Sequence, residues 1–321
     1  MRILFCGTPQ FAVPSLRGLL REDDFQVLAV VTQPDRPSGR GGKMTAPPVK
    51  EVALEHGIAV LQPQKIKTPE TVGVLRELAP DVAVVVAYGQ LISAELLSLP
   101  RFGWINLHAS LLPKYRGAAP IQWAIARGEQ KTGMTTMRIE QGMDTGGILM
   151  QQEVLIQPDE TAPELSARIA EAGAPLVAET LHGLLSGKLS PRPQNHSLAT
   201  YAPLLKKEDG RVDWSLSARA ICNRMRGFAP WPGAYSGFRG RTCHLWGRPL
   251  DAGAPGSAET PGKIHAGGKR MLAACGAGTW LEVTFVQLEG GKRISALEFL
   301  NGFRVRKGES FGPPAASEDD A

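Results

Sequence analysis

At 321 residues, with 43% hydrophobic and 21% charged residues, the chain has a globular composition and room for one large domain or two ordinary ones. Its longest aliphatic run, VAVVVAY from Val82 to Tyr88, is too short to cross a bilayer, and Met1–Phe5 meets Gly7 and Pro9 too soon for a signal peptide. The net charge of +5 is unevenly placed: residues 1–205 hold 19 Lys and Arg against 19 Asp and Glu, whereas residues 206–308 hold 17 against 8. A neutral front half joined to a basic back half suggests separate jobs, with the back half facing a polyanion. Cys6, Cys222, Cys243 and Cys275 are widely spaced, without a CxxC or a Cys/His cluster, so buried thiols in a reducing cytoplasm are expected.

In chain order, MRILFCG reads as a strand, PSLRGLLRED as a helix, FQVLAVVTQ as a strand and PVKEVALEHG as a helix. IAVLQP and ETVGVLRELAP repeat the pair, and DVAVVVAYG is a β-branched run of the kind buried on both faces of a parallel sheet. WINLHAS, the helix APIQWAIARGE and the strand TGMTTMRIE follow, and ETAPELSARIAEAGAPLVAETLHGLLSGK supplies closing helices. Repeated βα units predict a doubly wound, mostly parallel Rossmann-like α/β domain over residues 1–188. The proline-rich, unpatterned stretch at 189–207 reads as a linker. Residues 208–310, a helix followed by short strands with Gly-rich turns, predict a small OB-like β-barrel, and 311–321 a disordered tail.

Five stretches carry candidate chemistry. In WINLHASLLPKYRG, Asn106 and His108 are two residues apart on a strand, so they share one side of the sheet. The carboxyl end of a parallel strand opens on the crevice where α/β folds bind ligands. Lys114, Tyr115 and Arg116 look too polar for a core and are expected in an exposed loop. In EQGMDTGGIL, Asp144 is the acid of a Gly-rich turn. With Asn106 and His108 it forms a possible triplet: an amide and an imidazolium aimed at one point stabilise an oxyanion in acyl transfer. The carboxylate would orient the ring, favour its charged form and take a proton from an attacking amine.

The run GTPQFA after the first strand lacks the later glycines of GxGxxG, which disfavours a nicotinamide enzyme. TQPDRPSGRGGKMTAPPVK is long for a βα loop, lacks P-loop spacing, and carries Arg36, Arg40, Lys43 and Lys50. Those cations suit closure on a nucleic-acid backbone. RMRGFAPWPGAYSGFRGR mixes Arg224, Arg226, Arg239 and Arg241 with Phe228, Trp231, Tyr235 and Phe238. Such mixing fits either a nucleic-acid surface or a barrel core with a solvated rim. His56, His182 and His196 stand at no metal spacing, and no metal is expected.

NLHASLLPKYRGAAPIQWAI and GMDTGGIL resemble the two signatures of folate-dependent formyltransferases. FCGTPQFAVPSL, TQPDRPSGRGGK, DWSLSA and FAPWPGAY, in the same order, are similar to the members that act on an aminoacylated tRNA, and the likeness covers almost the whole chain. The resemblance implies transfer of a formyl group from 10-formyltetrahydrofolate to the amino group of methionyl initiator tRNA, for translation initiation. It assigns Asn106, His108 and Asp144 to catalysis and Ser110, Leu111, Leu112 and Pro113 to the folate. Arg36, Arg40 and Lys43 would belong to a loop wedged against the tRNA acceptor stem, with the basic barrel on the tRNA body. A cytoplasmic monomer without membrane contact is implied. The rivals are a formyltransferase for a small amine such as a nucleotide sugar, and a noncatalytic RNA-binding protein.

Overall fold

The computed structural model describes residues 1–38, 42–250, 255, 259–306 and 308–313. Its first strands and helices are β1 (Arg2–Gly7), α1 (Val13–Leu19), β2 (Gln26–Val31), β3 (Arg36–Ser38), β4 (Lys43–Thr45), α2 (Pro48–Glu55) and β5 (Ala59–Leu61). Next come α3 (Pro69–Leu78), β6 (Val82–Val86), α4 (Ala94–Leu97), β7 (Trp104–His108), α5 (Pro120–Ala126), β8 (Lys131–Arg138), β9 (Ile148–Leu155) and α6 (Ala162–Leu185). The chain divides into two compact units, the first made of Met1–Pro120, Lys131–Ile156 and Glu164–Pro203.

The first unit is built on a seven-stranded sheet in the order β5-β2-β1-β6-β7-β8-β9. Five strands from β5 to β7 are parallel, while β8 runs antiparallel to β7 and β9 antiparallel to β8. The sheet is therefore mixed, parallel in the larger part and antiparallel at one edge. β6 is buried at every position, as its near-continuous β-branched run requires of a central strand. The chain leaves β1 toward β2 on one side and returns at β6 on the other, so the order reverses between β1 and β6. Such a reversal opens a crevice at the strands' carboxyl ends, and β7 ends one strand away. Two features were not foreseen. β9 was missed because its outer half, Gln151–Glu153, is exposed at the edge and lacks an apolar alternation. The stretch read as one long loop contains the antiparallel pair β3–β4.

The second unit holds Ile121–Gln130, Gln157–Pro163 and Leu204–Ala321. Helix α7 (Ala218–Gly227) is followed by β10 (Tyr235–Phe238), β11 (Arg241–Pro249), β12 (Ile264–Gly267), β13 (Arg270–Ala274), β14 (Trp280–Leu288), β15 (Ile294–Ser295) and α8 (Ala296–Phe303). The strands form one antiparallel sheet, β10-β11-β14-β13-β12, with β15 beside β14. Helix α8 begins with a capping box in which Ser295 and Glu298 satisfy each other's backbone N–H. Ile221, Phe238, Leu245, Val283 and Phe299 share an apolar core with Phe311. Phe311 corrects the expected tail boundary: it is buried and stacked on Trp214, because an aromatic ring within reach of the core gains more there than in water. Residues 314–321 of that tail lie outside the described residues.

Candidate active site

β7 delivers the two polar residues to the end of the sheet. Asn106 is half-buried and His108 is 6% exposed, between apolar neighbours that hold the strand in place. Among the described residues the Asn106 amide has no hydrogen-bond partner, so both its N–H groups are available. His108 is held more tightly. Its Nε2 lies 2.9 Å from the Tyr115 carbonyl oxygen, which can only accept, so Nε2 carries the hydrogen. Nδ1 is thereby turned toward Asp144 Oδ2 at 3.6 Å, an ion-pair distance rather than a direct hydrogen bond.

Asp144 reaches His108 from a separate turn after β8. Its backbone is left-handed, with φ of 53°, and its Oδ2 accepts the Gly117 N–H at 2.8 Å. Gly117 has φ of 118°, and a Cβ there would lie 2.6 Å from the Ala202 carbonyl oxygen. Glycine is thus required at the point where two loops meet. On the far side of the turn, a Cβ on Gly146 would lie 1.8 Å from the Arg138 carbonyl oxygen. The glycines around Asp144 serve close approach, which brings Asn106, His108 and Asp144 into one region of the first unit.

The loop after β7 corrects one expectation. Tyr115 and Arg116 are buried, at 6% and 2% exposure, and only Lys114 of the three is exposed. Burial is possible because the loop is paired with residues far along the chain. Arg116 N–H donates to the Thr200 carbonyl, and Ala202 N–H donates back to the Arg116 carbonyl. The Arg116 guanidinium donates through Nε and Nη2 to Gln194 Oε1 at 3.1 and 2.6 Å, and Nη2 also meets His196 Nδ1 at 3.1 Å. Gln194, 6% exposed, donates from Nε2 to the Asp144 and Gly146 carbonyls, both at 2.8 Å. Gln194 and His196 had no local signal, since they lie in the proline-rich stretch expected to link the two halves.

The SLLP turn is divided in use. Ser110 is buried, its hydroxyl donating to the Lys114 carbonyl at 2.6 Å, and Leu112 packs with Met137 and Ile148. Thr135 Oγ1 donates to the Ser110 carbonyl and accepts the Leu112 N–H, while Gln151 donates to the Leu112 carbonyl. Leu111 and Pro113 are half-exposed, and the Leu112–Pro113 bond is cis.

Arg36 and Lys43 are exposed on the β3–β4 hairpin; Arg40 lies outside the described residues. The hairpin's neck is clasped by Lys50, whose Nζ is 2.8 Å from both Asp35 oxygens, and by Gln62, which donates to Asp35 Oδ1 at 2.7 Å. Gln62 and then Lys50 hold the Asp35 carboxyl below its ordinary range. In the second unit, Phe228, Tyr235 and Phe238 are core residues, and only Trp231 of the four aromatics is exposed. The mixed Arg/aromatic stretch is therefore largely a core with a charged rim. All four cysteines are free and buried, and burial pushes the thiols of Cys222, Cys243 and Cys275 up to about 12. Among the described residues no three His, Cys, Asp or Glu side chains gather as a metal-ligand set, and no helix is long and apolar enough to cross a membrane.

The first unit is a Rossmann-like α/β sheet with a polar triplet at the end of its fifth parallel strand, and an antiparallel-sheet unit accompanies it. Solved structures share this architecture: a sugar 3N-formyl transferase, WlaRD, with dTDP and 5-N-formyl-THF, has a TM-score of 0.63 at 18% identity over 88% of this chain and 97% of that one. HypX from Aquifex aeolicus, in complex with tetrahydrofolic acid, has a TM-score of 0.59 at 18% identity over 97% of this chain and 48% of that one. Residues 1–181 match the formyl transferase family and residues 204–304 its C-terminal domain. The chain belongs to the formyl transferase family. Methionyl-tRNA formyltransferase of Geobacter sulfurreducens is 50% identical over 99% of both chains, and that of Acidobacterium capsulatum 54% identical over 94% of this chain and 96% of its own.

Proposed function

We propose that this chain transfers a formyl group from 10-formyltetrahydrofolate to the free amino group of methionyl initiator tRNA. The observation that carries the acceptor is the identity of about half with methionyl-tRNA formyltransferases across nearly the full length, second unit included. The basic balance of residues 206–308, 17 cations to 8 acids, supports a polyanionic acceptor. A small nucleotide-linked amine would need no such surface.

Attack by the acceptor amine on the formyl carbon places negative charge on the formyl oxygen. The intermediate collapses by breaking the bond from the formyl carbon to N10, so that tetrahydrofolate leaves with the proton the amine gave up. Asn106 supplies a preformed amide donor to that oxygen, and one such donor is worth roughly 100- to 1000-fold in rate. Asp144, fixed by Gly117 N–H, takes the proton leaving the amine, directly or through one water. His108 was expected to share the oxyanion with Asn106, but Nε2–H is committed to the Tyr115 carbonyl and Nδ1 faces Asp144. Its part is to orient that carboxylate, and the oxyanion falls to Asn106. Of the folate segment, half-exposed Leu111 and Pro113 face the donor, while Ser110 and Leu112 hold the turn in shape. Arg36, Lys43 and Arg40 meet the acceptor stem, and the second unit, with an OB-like barrel that begins near residue 208 and takes in Phe311, holds the tRNA body. The enzyme works as a cytoplasmic monomer. A formylation assay comparing methionyl initiator tRNA, methionyl elongator tRNA, free methionine and a nucleotide-linked amino sugar tests the reading. Formylation of the initiator species alone is expected; equal formylation of free methionine or the sugar overturns it.

A further inference from the structure

We propose that Gln194, oriented by Arg116, is the positioning residue that sets Asp144 for catalysis. The inference rests on the catalytic reading of Asp144 given above. An amide side chain has two ends of opposite character, and its partners decide which end faces where. The buried Arg116 guanidinium has only donors, so it binds Oε1 of Gln194, and the NH2 end must face the other way. There it finds the carbonyls of Asp144 and Gly146, one for each hydrogen. Every hydrogen-bonding position of Gln194 is filled, so the side chain has one orientation.

The bonds act on a strained residue. A non-glycine residue at φ of 53° persists only where its surroundings hold it there. Gln194 pins the Asp144 carbonyl from one side, and Gly117 N–H pins the carboxylate from the other. Arg116 and Gly117 are adjacent in the chain, so one loop holds both the guanidinium that aims Gln194 and the amide that holds Asp144. Among the described residues Arg116 has no carboxylate partner, only Gln194, His196 and backbone. A buried arginine kept by neutral partners is costly unless its donors are used, and here their use is to fix the amide.

Gln194→Glu separates this role from general stability. The glutamate retains a partner for Arg116 but offers no N–H to the Asp144 and Gly146 carbonyls, and thermal melts establish that it is folded before its kinetics are read. Steady-state kinetics with 10-formyltetrahydrofolate and methionyl initiator tRNA are compared for the parent chain, Gln194→Glu, Asp144→Asn and the double variant, with thermal melts alongside. The expected result is a folded Gln194→Glu enzyme with kcat at least tenfold lower, KM for the formyl donor within about twofold, and no further loss from Gln194→Glu when Asp144 is already Asn. Parent-like kcat in Gln194→Glu overturns the proposal, as does a Gln194→Glu penalty that persists in full in the Asp144→Asn background. Should Asp144→Asn itself keep parent-like kcat, the catalytic reading fails and takes the proposal with it, an outcome distinct from either of the others.

Discussion

Around the candidate site and across the second unit's sheet, polar side chains are put to different uses. In the first, His108, Ser110, Arg116, Thr135 and Gln194 are buried, and their partners are mostly backbone carbonyls of turns. In the second, several charges pair with each other at the surface: Arg239 with Glu309, and Glu282 between Arg248 and Arg270. Its core is apolar. Buried bonds to backbone fix the course of a loop, because leaving such a donor or acceptor unmade costs the desolvation of the group. Exposed ion pairs leave the backbone free and mainly shape the field outside. One unit is arranged to position atoms, the other to present charge.

The comparison breaks first where a backbone approach is closest. Gly146→Val puts side-chain atoms where the Arg138 carbonyl oxygen stands 1.8 Å from the Cβ position. We expect loss of transfer activity and destabilisation of roughly 3 kcal/mol or more, read by activity and thermal melting. A variant as stable and active as the parent would mean that the turn does not hold Asp144. The next effect lies in the charged unit. Raising salt from about 50 to about 200 mM should raise KM for the tRNA roughly tenfold or more while leaving KM for the formyl donor nearly constant. A flat KM for tRNA would remove the second unit's electrostatic role.

The smallest effect tests the surface pairs. Arg270, and then Arg248, hold the Glu282 carboxyl below its ordinary range. A carboxyl lowered in the folded state adds stability above its unfolded pKa, and that contribution fades as pH falls through the lowered value. Glu282→Gln should therefore cost about 1 kcal/mol or less at pH 7, with the difference closing in acid, as followed by urea midpoints across pH. A gap that stayed open at low pH would point to packing rather than charge.

This division also explains what the sequence made legible. The order of βα units, the polar pair on β7 and the acid of the Gly-rich turn were readable because each is local: a period, a spacing of two, one carboxylate among glycines. The resemblance gave roles to residues already singled out and added the SLLP segment, which no local pattern had marked. Illegible was everything held by distant partners. Tyr115 and Arg116 looked exposed because their type is polar, yet Thr200, Ala202 and Gln194 bury them. Gln194 stood in a stretch with no periodicity, and nothing short of the folded turn shows its carbonyl partners. β9 stayed hidden for a related reason, an edge strand whose outer half has no face to bury. The aromatics of the basic half were ambiguous between core and surface, and only packing separates Trp231 from Phe228, Tyr235 and Phe238.

The central claim is that the end of β7 stabilises the charge that develops during formyl transfer. Single-turnover transfer to methionyl initiator tRNA, with both substrates saturating, measures that directly in Asn106→Ala. The account predicts a rate lower by roughly 100- to 1000-fold with unchanged binding of the formyl donor. A rate within a few-fold of the parent chain would contradict it.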